Sequence, residues 1–125
     1  MLRPGFLVIV VLIAACGSKE NKEQKKEPSP EAIAEAQTTF KNVCALCHGE
    51  SGKGNGTAAV NLETKPRNYT DKAWQATVTD DQIKQIILGG GPSVGKSILM
   101  PAQPQLRDKP EVVEGLVRII RAFGK

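Results

Sequence analysis

The chain has 125 residues, room for one small domain, a formal charge of +4, and only one Trp, one Tyr and three Phe. So thin an aromatic supply leaves a small domain short of core material, which predicts a large flat apolar cofactor as part of the folding unit. The lysines are spread along the chain with no aromatic-rich basic stripe, so nucleic acid is not an expected partner.

Met1-Leu2-Arg3 precede an apolar run from Phe6 to Ala15 that leads directly into Cys16. A charged start, an apolar stretch and small residues in that order mark an export signal. The run is about ten residues long, against about twenty for a spanning helix, so no permanent transmembrane segment is predicted. Ile13-Ala14-Ala15-Cys16 resembles the bacterial lipoprotein signal. The resemblance implies cleavage after Ala15 and lipidation of Cys16; the alternative is an ordinary signal peptide that leaves Cys16 as a free thiol. Acyl chains contribute about 0.8 kcal/mol per buried CH₂, so two or more hold a protein stably at a bilayer. Gly17 to Pro30 has charges of both signs and reads as a disordered spacer. The expected organisation is a signal peptide over 1–15, a lipidated N-terminus and charged linker over 16–30, and a folded domain over 31–125.

Ser29 offers a capping hydroxyl before Pro30 at N1, and Ile33, Ala36, Phe40 and Val43 follow at helical spacing, which predicts a first helix up to Cys44. That helix runs into Cys44-Ala45-Leu46-Cys47-His48, the C-x-x-C-H pattern of haem c attachment. On one helical turn the two thiols each reach a haem vinyl group, and the adjacent imidazole is carried under the iron as proximal ligand. A thioredoxin-like pair requires a strand-helix context. A zinc site requires two further ligands, and His48 is the single histidine. A disulfide or free thiol pair at Cys44 and Cys47 is the remaining alternative. The glycine-rich Gly49 to Gly56 reads as a flexible surface turn.

Thr79 with Gln82 predicts a capping box for a second helix, with Ile83, Ile86 and Ile87 on one face and Gly89 at its close. Gly90 to Ser97 then satisfies the phosphate-loop pattern G-x-x-x-x-G-K-[ST]. That loop needs a strand before it and a helix after it; here a predicted helix precedes, and Pro101 and Pro104 follow, so no nucleotide is expected. Gly90, Gly91 and Gly95 instead let the chain turn towards Met100. Met1 leaves with the signal peptide, so Met100 is the only thioether of the mature protein. With His48 unique, it is the expected sixth ligand of the iron, although a lone methionine also serves as core filler. Asp108 with Glu111 repeats the capping signal. Val112, Val113, Leu116, Ile119, Ile120 and Phe123 then form an apolar stripe that stops at Gly124.

Cys44-x-x-Cys47-His48-Gly49, the run to Gly56 and Leu99-Met100-Pro101 resemble the class I cytochromes c, and the likeness extends over nearly all of Pro30 to Lys125. It implies an all-α cytochrome c fold, three main helices wrapped around one covalently attached haem, with the first and last helices crossing. Ala36 and Gly115 are small enough for that crossing, though the family often has glycine at the first position. The resemblance also implies that the Pro66 carbonyl receives the His48 N–H and that Arg67, Tyr69 and Trp74 hold the propionates. The alternative makes Tyr69 and Trp74 core aromatics and Arg67 a solvated cation. The implied function is electron transfer rather than catalysis; a haem enzyme or gas sensor in which Met100 leaves the iron is the competing class. The expected setting is a monomer, lipid-anchored on the periplasmic face of a bacterial membrane, meeting redox partner proteins through lysines such as Lys53, Lys65 and Lys96.

Overall fold

A computed structural model describes residues 27–125; the expected signal peptide, Cys16 and most of the linker lie outside the described residues. Those described fold as five α-helices joined by short 3₁₀ and π segments, with no strand among them, which is the predicted all-α class.

Helix α1 spans Pro30–Thr39; the Ser29 hydroxyl accepts from the Ala32 N–H at 3.2 Å and Pro30 fills N1. The chain then widens into a π turn, Phe40–Cys44, with the Ala45 N–H donating to the Phe40 carbonyl, before α2 resumes over Ala45–His48. An i→i+5 bond inserts one residue into the turn, so the inward positions run Ala32, Ala36, Phe40 and then Ala45 and His48. The predicted face differs. Ile33 and Val43 are 37% and 41% exposed, because Ala32 and Ala36 take the helix contact and the extra residue turns Val43 outward.

Helix α3, Lys72–Thr77, was not expected from the apolar pattern; the Asp71 carboxylate caps it by accepting from the Trp74 N–H at 3.1 Å. Helix α4 covers Asp80–Gly89 behind the predicted capping box, with Thr79 and Gln82 bonded in both directions at 2.8 and 3.2 Å. Helix α5 covers Pro110–Ala122. The capping box expected at Asp108 and Glu111 does not form. Pro110 at N1 makes Lys109 the cap, without a side-chain bond, and Glu111 accepts from the Ser29 N–H at 3.0 Å instead. Ser29 is thus held by α5, and Pro28 is buried beside it.

Helices α1 and α5 cross at their small residues, as predicted. A Cβ on Gly115 would stand 2.7 Å from the Ala36 Cβ. Around this contact Phe40, Ile83, Ile87, Leu106, Val113, Leu116, Val117 and Ile120 close the core. Gln75 ties α3 to α5: its Nε2 donates to the carbonyls of Tyr69 and Ile120 at 2.8 and 2.9 Å, and its Oε1 accepts from Arg121 at 2.9 Å.

One carboxylate is buried within the apolar face of α5. Glu114 places Oε2 3.1 Å from Lys84 Nζ on α4 and Oε1 3.8 Å from Arg118 Nε. Glu114→Gln is expected to lower stability by about 1–2 kcal/mol, less than the roughly 3–5 kcal/mol of a fully buried pair, because water reaches Lys84. Guanidinium unfolding of the purified protein measures it; an unchanged midpoint would make the pair dispensable.

Candidate functional site

The C-x-x-C-H segment runs from Cys44, the last residue of the π turn, through α2, and its carbonyl ends are covered by the loop that follows. Gly49, at φ 77°, ends α2, and the chain turns back so that the Gly54 N–H donates to the His48 carbonyl at 2.7 Å and the Gly56 N–H to the Cys47 carbonyl at 3.0 Å. Gly52, Gly54 and Gly56 are buried while Ser51, Lys53 and Asn55 between them are exposed. A Cβ on Gly56 would fall on the carbonyl oxygens of Leu46 and Ala45. The run read as a flexible surface turn is therefore a fitted clamp on the motif. Its signal in the sequence was the every-second-residue spacing of these glycines.

His48 is 7% exposed, and its Nδ1 lies 3.0 Å from the Arg67 carbonyl. This corrects the expected acceptor by one residue: the Pro66 carbonyl instead faces Gly54, where a Cβ would strike it. Burial pushes the imidazole below its usual value of 6.5 and so favours the neutral ring; the hydrogen bond to the Arg67 carbonyl partly opposes this. With the proton on Nδ1 and donated to that carbonyl, Nε2 keeps its in-plane lone pair, the form of histidine that ligates a metal. One face of the ring stacks on Tyr69, centroids 4.4 Å apart and planes 13° from parallel, which leaves Nε2 unused.

Cys44 and Cys47 are half-buried and not joined to each other. Burial pushes the Cys44 thiol up to about 11, against its backbone hydrogen bond and reinforced by Cys47. Tyr69 is buried, its phenol raised well above the ordinary range by burial and by Cys44. Trp74 is half-buried 5.8 Å from Tyr69, and the Arg67 guanidinium stands 5.6 Å over its ring while paired with Asp71 at 3.8 Å. The structure thus gathers Cys44, His48, Arg67, Tyr69 and Trp74 into one neighbourhood.

Met100 comes from a separate segment. Gly91 N–H donates to its carbonyl at 3.0 Å and its own N–H reaches the Ser97 carbonyl at 3.2 Å. Gly90, at φ 70°, packs so closely that a Cβ there would lie 2.7 Å from the Met100 carbonyl oxygen. The phosphate-loop pattern is thereby absorbed into a tight turn after α4, with a 3₁₀ segment at Gly91–Val94 and no helix to receive a phosphate.

These residues fit a haem. The imidazole offers its one free nitrogen, two thiols stand three residues apart across the join of the π turn and α2, and several of the most exposed large apolar side chains flank the ligand-bearing segments. Val43 and Leu46 are 41% and 50% exposed at the signature, and Ile98 and Leu99 are 81% and 56% exposed before Met100. Exposed apolar side chains beside the candidate ligands are what an apolar cofactor covers.

Helices around a C-x-x-C-H turn, with a neutral buried histidine and a separate methionine loop, define a class I c-type cytochrome, a class that carries electrons on haem. Within it the chain belongs to the family described as cytochrome c oxidase, cbb3-type, subunit III, whose model matches residues 31–118. Among curated proteins, the cbb3-type cytochrome c oxidase subunit CcoP of Rubrivivax gelatinosus is 32% identical over 95 residues, covering 76% of this chain and 27% of that protein. The chain therefore spans about a quarter of the length of the relative it matches.

Proposed function

We propose that this chain is a monohaem electron carrier, with one haem c bound through thioethers to Cys44 and Cys47 and ligated axially by His48 and Met100. When bound, the haem supplies a one-electron couple between ferrous and ferric iron. The chain's own residues then do three things. Arg67 offers its carbonyl to His48 Nδ1, which fixes the ring and strengthens Nε2 as a donor. The Gly49–Gly56 clamp holds the two cysteines in register with that ring. The turn built on Gly90 and Gly91 presents Met100. Of the residues expected at the propionates, Arg67 over Trp74 is the cation available to a carboxylate. Tyr69 has its ring against His48, and we assign it to support of the ligand.

The observation that carries this reading is the state of His48: buried, neutral, bonded through Nδ1 and stacked through its face, with only Nε2 left to bind. The relative named above is a subunit of a cbb3-type cytochrome c oxidase, and we propose redox proteins of that kind as donor or acceptor. The rest of the reading places the folded domain at 31–125, outside the cytoplasm, on a lipid at Cys16. Among the described residues no helix is long and apolar enough to cross a membrane, and a lipid tether supplies the attachment.

Expression with a working haem maturation pathway, followed by a pyridine haemochrome assay and membrane fractionation, tests it. One c-type haem per chain and a membrane-bound wild type are expected, with Cys16→Ser released to the soluble extracytoplasmic fraction at an unchanged spectrum. A colourless product would refute the carrier, and membrane retention of Cys16→Ser would refute the tether.

A further inference from the structure

The ring contacts around His48 continue beyond the ligand itself. His48 stacks on Tyr69 at 4.4 Å, and from Tyr69 two branches leave. One passes to Phe123 at 6.2 Å and on to Phe40 at 5.5 Å, ending in the packed contact of α1 with α5. The other passes to Trp74 at 5.8 Å and reaches the surface, since the indole is half-buried and the Arg67 side chain above it is 49% exposed. The second branch therefore joins a buried imidazole to solvent in two ring-to-ring steps along α3 and the segment before it.

Filling a core accounts for Tyr69. It does not account for a nearly parallel stack on the ligand face, nor for a line of rings that ends at a half-exposed indole under a cation. Electron tunnelling weakens exponentially with the gaps it must cross, and successive π systems replace one long gap by short ones.

We propose that Tyr69 and Trp74 form an electron conduit from the His48 side of the haem to an exit at the surface of α3. It serves a partner whose metal centre docks against Trp74. This rests on the carrier reading above. The balance is one electron lost by the iron and one gained by the partner's metal centre; no bond forms or breaks and no proton moves.

A ruthenium polypyridyl label on a surface histidine serves as the partner's stand-in. Thr77→His places it one turn from Trp74 on the same side of α3, and Lys96→His places it on the turn before Met100, both at exposed positions. Laser-triggered electron transfer between label and haem is timed in full-length protein, with the reduction potential of every variant recorded to correct for driving force. Trp74→Leu is expected to slow transfer from residue 77 tenfold or more and to leave transfer from residue 96 within twofold; Tyr69→Leu, which also touches the ligand, is expected to slow transfer from residue 77 at least tenfold more than transfer from residue 96. Tyr69→Phe, which keeps the ring and removes the hydroxyl, is expected to restore the rate. A colourless protein overturns the carrier reading and the conduit with it. A coloured protein whose rate from residue 77 is indifferent to both leucine variants overturns the conduit alone. Equal slowing from both labels, or no rescue by Tyr69→Phe, makes the rings packing or hydrogen-bonding groups and also overturns it.

Discussion

Met100→Ala is expected to keep its haem covalently attached while the reduction potential falls by on the order of 0.2 V, within the span of about 0.8 V over which axial ligands set haem potentials. A thioether withdraws less readily from ferrous than from ferric iron, so its loss removes preferential stabilisation of the reduced state. The open position is then expected to take up azide or imidazole from solution. The turn that carries Met100 is held by the Gly91 N–H on the Met100 carbonyl and by the Gln103 N–H on the Ile87 carbonyl, both 3.0 Å. Those are backbone bonds, and alanine preserves them, so the change is confined to the ligand. A spectroelectrochemical titration with and without azide reads both effects. An unchanged potential with no ligand uptake would remove Met100 from the iron.

The second large effect is expected at Gly56. Valine there forces its Cβ onto the carbonyl oxygens of Ala45 and Leu46 and breaks the Gly56 N–H bond to the Cys47 carbonyl. Stability is expected to fall by about 3 kcal/mol or more, a large share of the roughly 5–15 kcal/mol that holds a domain together. The yield of covalently bound haem is expected to fall with it. Gly95→Ala is the control. Gly95 has φ 68° in the left-handed region but nothing within 4 Å of an added Cβ, so only the backbone cost of about 1–2 kcal/mol applies. Guanidinium midpoints of the two holoproteins compare them. Equal losses would mean that the loop after His48 is an ordinary turn and not a clamp.

Much of the site was legible because it is written in local chemistry. Cys44, Cys47 and His48 are adjacent on one turn, His48 is the only histidine, and Met100 is the only methionine of the expected mature chain, so scarcity and spacing named them. Capping at Ser29 and at Thr79 with Gln82 was equally local, since each cap joins residues three apart. Helix α3 was missed for a related reason: its signal was one aspartate, Asp71, and its residues lack an apolar stripe long enough to show a period.

Other features depended on partners far away in sequence. The acceptor for His48 is Arg67 rather than Pro66 because Gly54 packs against the Pro66 carbonyl, a contact between segments that no spacing rule connects. The cap expected from Asp108 and Glu111 failed because Glu111 was drawn to the Ser29 N–H, across the crossing of α1 and α5. Glu114 is buried on α5 because Lys84, on α4 and thirty residues earlier in the chain, supplies its counter-charge.

The sequence alone named the candidate ligand atoms and the three longest helices, because candidate ligands, caps and apolar periodicity are properties of neighbouring residues. Only the tertiary structure decided where those atoms face. The π turn at Phe40–Cys44 carries no mark in its own residues. It inserts one residue per turn, so that Ala32, Ala36 and Phe40 seat on α5 while His48 still turns inward. That choice is made by close packing against Gly115 and its neighbours, a long-range constraint that overrides the regular helical period the chain would otherwise follow.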